Sequence, residues 1–435
     1  MKQSLAIAAV AGLAAAAPSN THHSNRPSGK LGNDPAFLEY ASRFNKDIRD
    51  PVSFTLRQQR YHAAESTISA QNRIADESGD PNALRLGHNF TSDMTRDEYL
   101  GLLGLDQQSA QMKSKSLPAH NAHHSSGNRR NRLGGRGGRH LEDAATNVDH
   151  FADGFMHPVK DQGNCGSCWA FAANTALEGA YAKKTNSAPM HFSEQQLVDC
   201  TLTGNAYNYE LFGKDYGIWG CQGGWMDLAW KFQQEQGIML EEDYPYTSGN
   251  TSTESQCAHN ASKTVGTASS WGQITTSVDD IKAKLAEQPL SVALDAGSAA
   301  FQWYKSGVVK QSDNCGTSLN HAVVMVGYTD SGSAPEPDTD DDDDDYNPPE
   351  PDTDDDEEDD GDVSGCKVTK WWHTCDGNRR RRRMQDVSGN DNYWKIQNSW
   401  GTWWGDEGFI RIEIADGYGV CGINSVVEWV DFTEN

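Results

Sequence analysis

The spacing of apolar side chains changes along the chain and predicts how the chain is organised. Residues 5–17 form a short apolar run behind Lys2, too short to span a bilayer and typical of a secretory signal peptide over residues 1–17. Residues 35–105 are polar, with periodic apolar positions and few Gly or Pro, which predicts helices. Residues 106–143 contain too few apolar side chains to pack, so we expect an easily cleaved linker there.

A compact domain is predicted from residue 144 to residue 435, because Trp, Cys and Gly-rich turns occur together there. Late in this domain, two runs rich in Val, Ile and aromatic residues, Leu319–Tyr328 and Tyr393–Trp400, predict strands. Between them, residues 335–362 hold 18 acidic residues in 28 positions and cannot form a core. We therefore expect a disordered acidic insert over about residues 330–390, in a strand-to-strand connection where extra length costs little loop entropy.

The 435-residue chain carries 62 Asp and Glu against 37 Lys and Arg, a net charge of -25. This balance argues against nucleic-acid binding, which needs Lys and Arg to neutralise phosphates. Much of the charge comes from the insert, because residues 329–390 hold 21 acidic and 7 basic residues. A cation- or polyanion-binding module on the Asp run or on Arg379–Arg383 is an alternative. The Asp run lacks the spaced ligands and turn glycine of a calcium loop, which favours a solvated tract.

The predicted secretory route determines how the nine cysteines are interpreted, since it implies an oxidising compartment. In an oxidising compartment, an odd number predicts four disulfides and one free thiol. Cys168 follows Gly166 and Ser167 and begins an Ala- and Leu-rich helical stretch, where unpaired N–H groups and the helix dipole favour a nucleophilic thiolate. Cys165 lies three residues earlier, so a redox or zinc C-x-x-C pair is an alternative. A zinc site needs a second pair of this kind, and the sequence has no other C-x-x-C.

Six short blocks over about residues 148–430 carry the most information. They are CGSCW (165–169), SEQQLVDC (193–200), CQGGW (221–225), EEDYPY (241–246), LNHAVVMVGY (319–328) and YWKIQNSWGTWWGDEGF (393–409). In sequence and order, these blocks resemble the papain-like cysteine peptidases of cathepsin L type. The resemblance implies an α+β, two-lobed papain-like fold, with a helical lobe, a β-barrel-like lobe and an active cleft between them, preceded by a helical pro-domain. It implies no metal and no organic cofactor.

The resemblance also assigns catalytic roles. Cys168 would attack the scissile carbonyl, and His321 would form the thiolate–imidazolium pair and then protonate the leaving amine. Asn398 would orient the imidazole under the shield of Trp400, while Gln162 and the backbone N–H of Cys168 would bind the oxyanion. His321 lies 153 residues after Cys168, near the family's spacing, and Asn398 lies 230 residues after it. The excess comes from the insert, which lies between His321 and Asn398.

The resemblance further implies a set of substrate-binding residues, which are Gly223, Gly224, Trp225, Met226, Ala293, Leu319, Asn320, Trp400 and Val426. The side chains of its specificity pocket are apolar, which predicts a hydrophobic residue at the second position before the cut. The family disulfides would be Cys165–Cys221, Cys200–Cys257 and Cys315–Cys421. Cys366 and Cys375 lie inside the insert and would pair with each other, which leaves Cys168 free.

Upstream, residues 18–143 resemble the family's propeptide less closely, with residues 35–105 as the inhibitory helical domain and residues 106–143 as the linker. Arg57 matches the family's spaced helix motif, whereas Ser53 and Ala64 depart from it. These departures predict that an Arg-centred ion pair is missing from the inhibitory domain. Residues 144–435 would then form the mature domain.

These features together predict a secreted or lysosomal/vacuolar cysteine endopeptidase, made as a zymogen and acting through an acyl-enzyme intermediate. The expected partners are protein and peptide substrates, the chain's own propeptide and cystatin-type inhibitors, and we expect a monomer. Sequons at Asn89, Asn250 and Asn260 are compatible with glycosylation. The alternative is a catalytically silent homologue that acts as a binding protein, which is disfavoured because all four catalytic residues are present.

Overall fold

The computed structural model of the chain describes residues 34–105, 147–202, 207, 209–211, 214–330, 366–369, 372–375 and 392–435. The described chain divides into two compact units, one ending at Thr55 and one running from Leu56 to Asn435. The predicted signal peptide, the linker and the acidic tract at residues 335–362 lie outside the described residues. No helix within the described ranges is long and apolar enough to cross a membrane.

The first unit contains helix α1 (Pro35–Arg43) and the start of helix α2 (Pro51–Ser78). Asp34 caps α1, because its carboxylate accepts hydrogen bonds from two backbone N–H groups of the first turn, at 3.1 and 3.3 Å. Both helices begin with proline, whose fixed φ and missing N–H suit the first helical position. The rings of Phe37 and Phe54 pack edge to face, with their centroids 5.3 Å apart, and join the two helices.

The second unit begins with the remainder of α2, followed by strand β1 (Arg85–Leu86) and helix α3 (Arg96–Leu100). The guanidinium of Arg57 on α2 donates to the carboxylate of Asp93 at 2.9 Å, and the Asp93 side chain is fully buried. The prediction that an Arg-centred ion pair is missing here is therefore wrong. A residue 36 positions away supplies the acid, and no sequence spacing within the helix could reveal it.

The next part of the chain is mainly helical, and its elements are β2 (Asn147–Asp149), α4 (Cys168–Thr185), α5 (Glu194–Cys200), β3 (Tyr209–Leu211), β4 (Lys214–Tyr216), α6 (Met226–Gln236), β5 (Ile238–Met239) and α7 (Ser248–Thr251). The long helix α4 is rich in Ala and is buried on almost every face. Its small side chains let neighbouring elements approach closely, and its own Trp169 lies in the same buried cluster as Trp225 and Trp230 from the following part of the chain.

The last part of the chain is mainly sheet, and its elements are β6 (Thr264–Gln273), α8 (Val278–Glu287), β7 (Leu290–Leu294), α9 (Ala299–Gln302), β8 (Tyr304–Ser306), β9 (Val308–Val309), β10 (His321–Thr329), β11 (Cys366–Thr369), β12 (Trp372–Cys375), β13 (Tyr393–Gln397), β14 (Phe409–Glu413) and β15 (Val427–Glu434). The main sheet has nine strands in the order β5-β6-β15-β7-β10-β13-β14-β9, and β2 also pairs with β10. Its pairings are antiparallel except the one between β14 and β9.

Strand β10 lies between the two hydrophobic cores. Successive side chains of a strand point to opposite faces, so its alternate residues enter different cores. Val324 and Val326 pack into the core around α4, whereas Val323 and Met325 pack into the core of the sheet lobe. His321 is the first residue of this strand and therefore sits where the helical and sheet lobes meet.

The acidic insert connects two neighbouring strands. β10 pairs antiparallel with β13, and Thr329 lies opposite Tyr393, so the two ends of the insert leave the sheet side by side. Both strands were predicted from their apolar content, and both are present. Within the insert, β11 and β12 form an antiparallel hairpin in which Cys366 lies opposite Cys375.

Candidate active site

Cys168 is the first residue of α4, as the sequence predicts. Just before Cys168, the backbone passes close to the Cys221 carbonyl oxygen, because Gly166 has no Cβ; an added Cβ would lie 2.5 Å from that oxygen. The Cys165–Cys221 disulfide holds the same two segments together. The Cys168 sulfur is completely buried and accepts hydrogen bonds from the backbone N–H groups of Gly104 at 3.2 Å and of Ala322 at 3.5 Å.

His321 and Asn398 are in direct contact. The imidazole Nε2 lies 2.8 Å from the Asn398 side-chain Oδ1. An amide oxygen can only accept, so Nε2 carries the proton and Nδ1 is the basic nitrogen. The indole of Trp400 covers this pair, with its centroid 5.0 Å from the imidazole, and excludes water from the contact. The tertiary fold thus brings together two residues that are 77 positions apart in the sequence.

The Gln162 side chain is held in one orientation by three hydrogen bonds. Its Oε1 accepts from the hydroxyl of Ser399 at 2.7 Å, which directs its NH2 group the other way. This NH2 group donates to the carbonyl oxygens of Leu102 and Cys165, both at 2.8 Å. The group predicted to bind an oxyanion is therefore bound here to a peptide carbonyl of the N-terminal part of the chain.

Residues 102–105 run across the nucleophile. Gly104 donates its N–H to the Cys168 sulfur and accepts from the N–H of Gly224 at 3.0 Å, while Leu105 donates to the carbonyl of Asn320 at 3.1 Å. Gly223 has φ 125°, and an added Cβ there would lie 2.7 Å from the Gly104 carbonyl oxygen. Only glycine permits so close an approach of one backbone to another. The backbone of this segment occupies the groove along the nucleophile.

The side chains predicted to form the specificity pocket are apolar and buried. These five side chains belong to the same buried cluster as Leu105, namely Trp225, Met226, Ala293, Leu319 and Val426. The remaining predicted substrate-binding residues also lie along residues 90–105. Gly224 and Asn320 make the backbone contacts given above, and the Trp400 indole packs against the rings of Phe90 and Tyr99 at 5.8 and 5.9 Å.

Burial controls the protonation of the reactive pair in this form of the protein. Desolvation raises the pKa of the Cys168 thiol to about 11, although hydrogen bonds from backbone N–H groups act in the opposite direction. Desolvation also lowers the pKa of His321 to about 4, against the stabilising hydrogen bond of Asn398. The expected thiolate–imidazolium pair is therefore not present with the cleft covered. The position of Cys168 at the start of α4 does not lower the pKa of its thiol enough to offset the rise caused by desolvation.

Three disulfides are present among the described residues, joining Cys165 to Cys221, Cys200 to Cys257 and Cys315 to Cys421. Cys168 is a free thiol. Cys366 and Cys375 are partners in the backbone register of the insert hairpin, and a disulfide between them stays a prediction.

One group of side chains in the described ranges has the spacing of a metal site. His191, Glu194 and Glu241 offer ligand atoms within 4.8 Å of one another. However, the ammonium of Lys160 already donates to the Glu194 carboxylate at 2.6 Å and to Glu178 at 2.7 Å, in a buried ion-pair cluster. The lysine therefore supplies the positive charge that these carboxylates require.

A family model described as papain family cysteine protease matches residues 144–340 and 382–430, which is more than half of the chain. The chain belongs to the papain family of cysteine proteases. The gap between the two matched ranges falls inside the predicted insert.

Relatives from plants and an amoeba agree with this assignment. The chain is 31% identical over 415 residues to Cysteine proteinase 2 of Dictyostelium discoideum, covering 92% of this chain and 93% of that protein. It is 34% identical over 281 residues to Probable cysteine protease RD21C of Arabidopsis thaliana, covering 63% of this chain. The chain spans 45% to 60% of the length of this and three other plant relatives.

Solved structures share the family fold. Digestive procathepsin L 3 of the Tenebrio molitor larval midgut has a TM-score of 0.61 at 23% identity, covering 92% of this chain and 100% of that one. The recombinant stem bromelain precursor has a TM-score of 0.58 at 22% identity, covering 91% and 97%. The predicted two-lobed α+β fold with a helical pro-domain is confirmed.

Several residues of the site are not predicted by any sequence motif. Ser399 follows Asn398 directly, and that position could have suggested its role in orienting Gln162. Nothing in the sequence predicts the contacts of Leu102 and Gly104. Both residues make these contacts through their backbone, and only the tertiary fold places that backbone beside Gln162 and Cys168.

Proposed function

We propose that this chain is the zymogen of a cysteine endopeptidase in which Cys168, His321, Asn398 and Gln162 carry the chemistry. The hydrogen bond between His321 and Asn398 carries this proposal, together with the free thiol of Cys168, which accepts from the N–H of Ala322, the residue after His321. It leaves Nδ1 as the basic nitrogen of the imidazole, in the tautomer that can accept the thiol proton.

In the first half of the reaction, the Cys168 sulfur bonds to the scissile carbonyl carbon, and its proton passes to Nδ1 of His321. The carbonyl oxygen becomes an oxyanion that accepts hydrogen bonds from the Gln162 amide and the Cys168 N–H. Collapse of this intermediate breaks the C–N bond, and the imidazolium protonates the leaving amine. In the second half, water attacks the resulting thioester, which releases the carboxylic acid and restores the thiol.

We propose that residues 18–143 are the propeptide and that its inhibitory domain blocks the cleft directly. Leu102 accepts a hydrogen bond from the Gln162 amide, Gly104 donates to the nucleophilic sulfur, and Leu105 donates to the Asn320 carbonyl and lies in the same buried apolar cluster as the predicted pocket side chains. Groups that the proposed mechanism assigns to the nucleophile, the oxyanion and the substrate backbone are thus already hydrogen-bonded within the chain. Cleavage in the linker at residues 106–143 would then release a mature domain that begins near residue 144.

The apolar pocket favours substrates with a hydrophobic side chain at the second position before the scissile bond. All five predicted pocket side chains are apolar, and no carboxylate is among them to pair with a basic residue. The proposed partners are protein and peptide substrates, the propeptide and cystatin-type inhibitors acting on a monomer. The apolar run at residues 5–17 and the three disulfides support passage through the secretory pathway to a lysosome, a vacuole or the exterior.

A direct test uses the full-length chain activated by acid. The wild type is expected to hydrolyse a fluorogenic peptide with a hydrophobic residue followed by Arg, and an epoxide inhibitor of cysteine peptidases is expected to stop it. The Cys168→Ala variant serves as control and is expected to be secreted and folded but inactive. Wild-type protein that binds such peptides without cleaving them would identify a catalytically silent homologue instead.

We further propose that the insert at residues 330–390 is dispensable for the fold. Its ends leave adjacent strands, so a short Gly/Asn turn can replace Ser331–Gly389 without moving β10 or β13. The deleted protein is expected to keep most of its activity toward small peptides. Normal secretion with lost activity would show that the insert helps to build the site.

A further inference from the structure

The side chain of Tyr246 bonds to both ends of the segment that leads to the nucleophile. Its hydroxyl donates to the backbone carbonyl of Gln162 at 2.9 Å. The same hydroxyl lies 2.7 Å from the Ser167 hydroxyl. Since a phenol has one proton and a carbonyl can only accept, Ser167 must donate to the tyrosine oxygen. One oxygen atom therefore joins the first and last residues of the segment 162–167.

This segment depends on outside contacts for its shape. It has no regular secondary structure and contains Gly163, in a left-handed conformation with φ 59°, and Gly166. Glycines leave the backbone more conformational freedom than other residues do. At its middle, Cys165 is tied to Cys221, and Asn164 donates to the carbonyl of Gly249 at 2.9 Å. Tyr246 supplies the contact that spans the two ends.

Tyr246 is itself rigidly held. Its backbone N–H donates to the Glu241 carboxylate at 2.8 Å. Its ring packs edge to face on Phe171 of α4, with centroids 4.9 Å apart. Burial raises the pKa of the Tyr246 hydroxyl, which keeps its proton available for the bond to Gln162.

We propose that Tyr246 is a positioning residue for the oxyanion-binding groups. Gln162 supplies one donor from its side chain, and the start of α4 supplies the other from the Cys168 backbone. These donors stabilise a transition state only if their separation is set in advance, because catalysis depends on preorganised hydrogen-bond donors. The bridge formed by the Tyr246 hydroxyl sets that separation. This inference rests on the proposed function, since it assigns a role in that reaction.

The test removes only the hydroxyl, in the Tyr246→Phe variant of the full-length chain after acid activation. Complete loss of an oxyanion donor lowers kcat by about 100- to 1,000-fold, so loosening both donors is expected to lower kcat by about tenfold. KM for the fluorogenic peptide is expected to change less than about twofold, because ground-state binding does not use these donors. Rates are expressed per active site titrated with the epoxide inhibitor.

Tyr244→Phe is the matched control. Tyr244 belongs to the same short segment, and its buried hydroxyl also makes two hydrogen bonds, to the Asp199 carboxylate and from the N–H of Ala258, both at 2.9 Å. Neither partner belongs to the segment 162–167. Its loss is expected to affect stability as Tyr246→Phe does, while leaving kcat within about twofold of wild type.

A double substitution separates positioning from general stability. In a Gln162→Ala background one oxyanion donor is already gone, so adding Tyr246→Phe is expected to cost less than about threefold in kcat. The inference is overturned if Tyr246→Phe keeps wild-type kcat, if Tyr244→Phe loses as much, or if the full tenfold loss persists without Gln162. If Tyr246→Phe is not secreted, Ser167→Ala removes one half of the bridge and is held to the same criteria. Turnover by wild type that the epoxide blocks upholds the proposed function whatever Tyr246 does.

Discussion

A methyl group at position 104 is expected to open the covered cleft. A Cβ added to Gly104 would lie 1.9 Å from the carbonyl oxygen of Gly166 and 3.1 Å from the Cys168 sulfur. The first contact is with the backbone of Gly166, two residues before α4, which is held in place by its own hydrogen bond to the Cys221 carbonyl and by the neighbouring Cys165–Cys221 disulfide. Ordinary van der Waals separation requires about 3.5 Å, so the segment must move outward by roughly 1.5 Å.

This displacement breaks the hydrogen bonds that hold residues 104 and 105 in the groove. They are the bonds from Gly104 N–H to the Cys168 sulfur at 3.2 Å, from Gly224 N–H to the Gly104 carbonyl at 3.0 Å, and from Leu105 N–H to the Asn320 carbonyl at 3.1 Å. At about 1 kcal/mol each, their loss weakens closure by about 3 kcal/mol. The open fraction of the unprocessed chain then rises on the order of 100-fold.

The assay is the rate at which iodoacetamide alkylates Cys168 in the intact full-length chain at pH 7. We expect the Gly104→Ala rate to exceed the wild-type rate on the order of 100-fold, as calculated from the lost bonds. Gly101→Ala is the matched control, since its Cβ would meet only the carbonyl oxygens of Asp97 and Glu98, at 3.4 Å. Equally slow alkylation of all three proteins, with normal secretion, would refute the idea that close backbone contact at Gly104 maintains latency.

Three other predictions follow from the same geometry. His321→Ala is expected to lower kcat more than Asn398→Ala, because supplying the imidazole matters more than orienting it; equal or reversed losses would contradict these roles. Burial lowers the pKa of His321 to about 4, so the open form binds more protons than the closed form below about pH 6.5. The closed form is therefore stable at neutral pH and loses stability as pH falls from about 6.5 to 4. Tryptophan fluorescence of the Cys168→Ala zymogen measures this opening. Fluorescence that does not change over this pH range would contradict the prediction. Glycopeptide mapping is expected to find glycan on the exposed Asn250 and Asn260 but not on Asn89, whose buried amide donates to a backbone carbonyl at 2.8 Å.

Much of the site could be predicted from sequence because its parts have local signatures. The Ala-rich stretch after CGSCW predicts a helix beginning at Cys168, and the apolar content of Leu319–Tyr328 predicts the strand that starts near His321. The low-complexity tract between two predicted strands located the insert, whose ends the sheet places side by side. Each of these inferences depends on backbone preferences set by neighbouring residues.

Contacts between distant segments were decided only by the tertiary structure. Arg57 pairs with Asp93, which lies beyond the end of its helix, although Ser53 departs from the family's helix motif. The helix start predicts a thiolate at Cys168, yet burial of the sulfur reverses that preference. The Tyr246 hydroxyl reaches a carbonyl 84 positions earlier. Local sequence determines which backbone conformations form, whereas burial and hydrogen-bond partners depend on which remote segment packs against each group, and no local pattern encodes that choice.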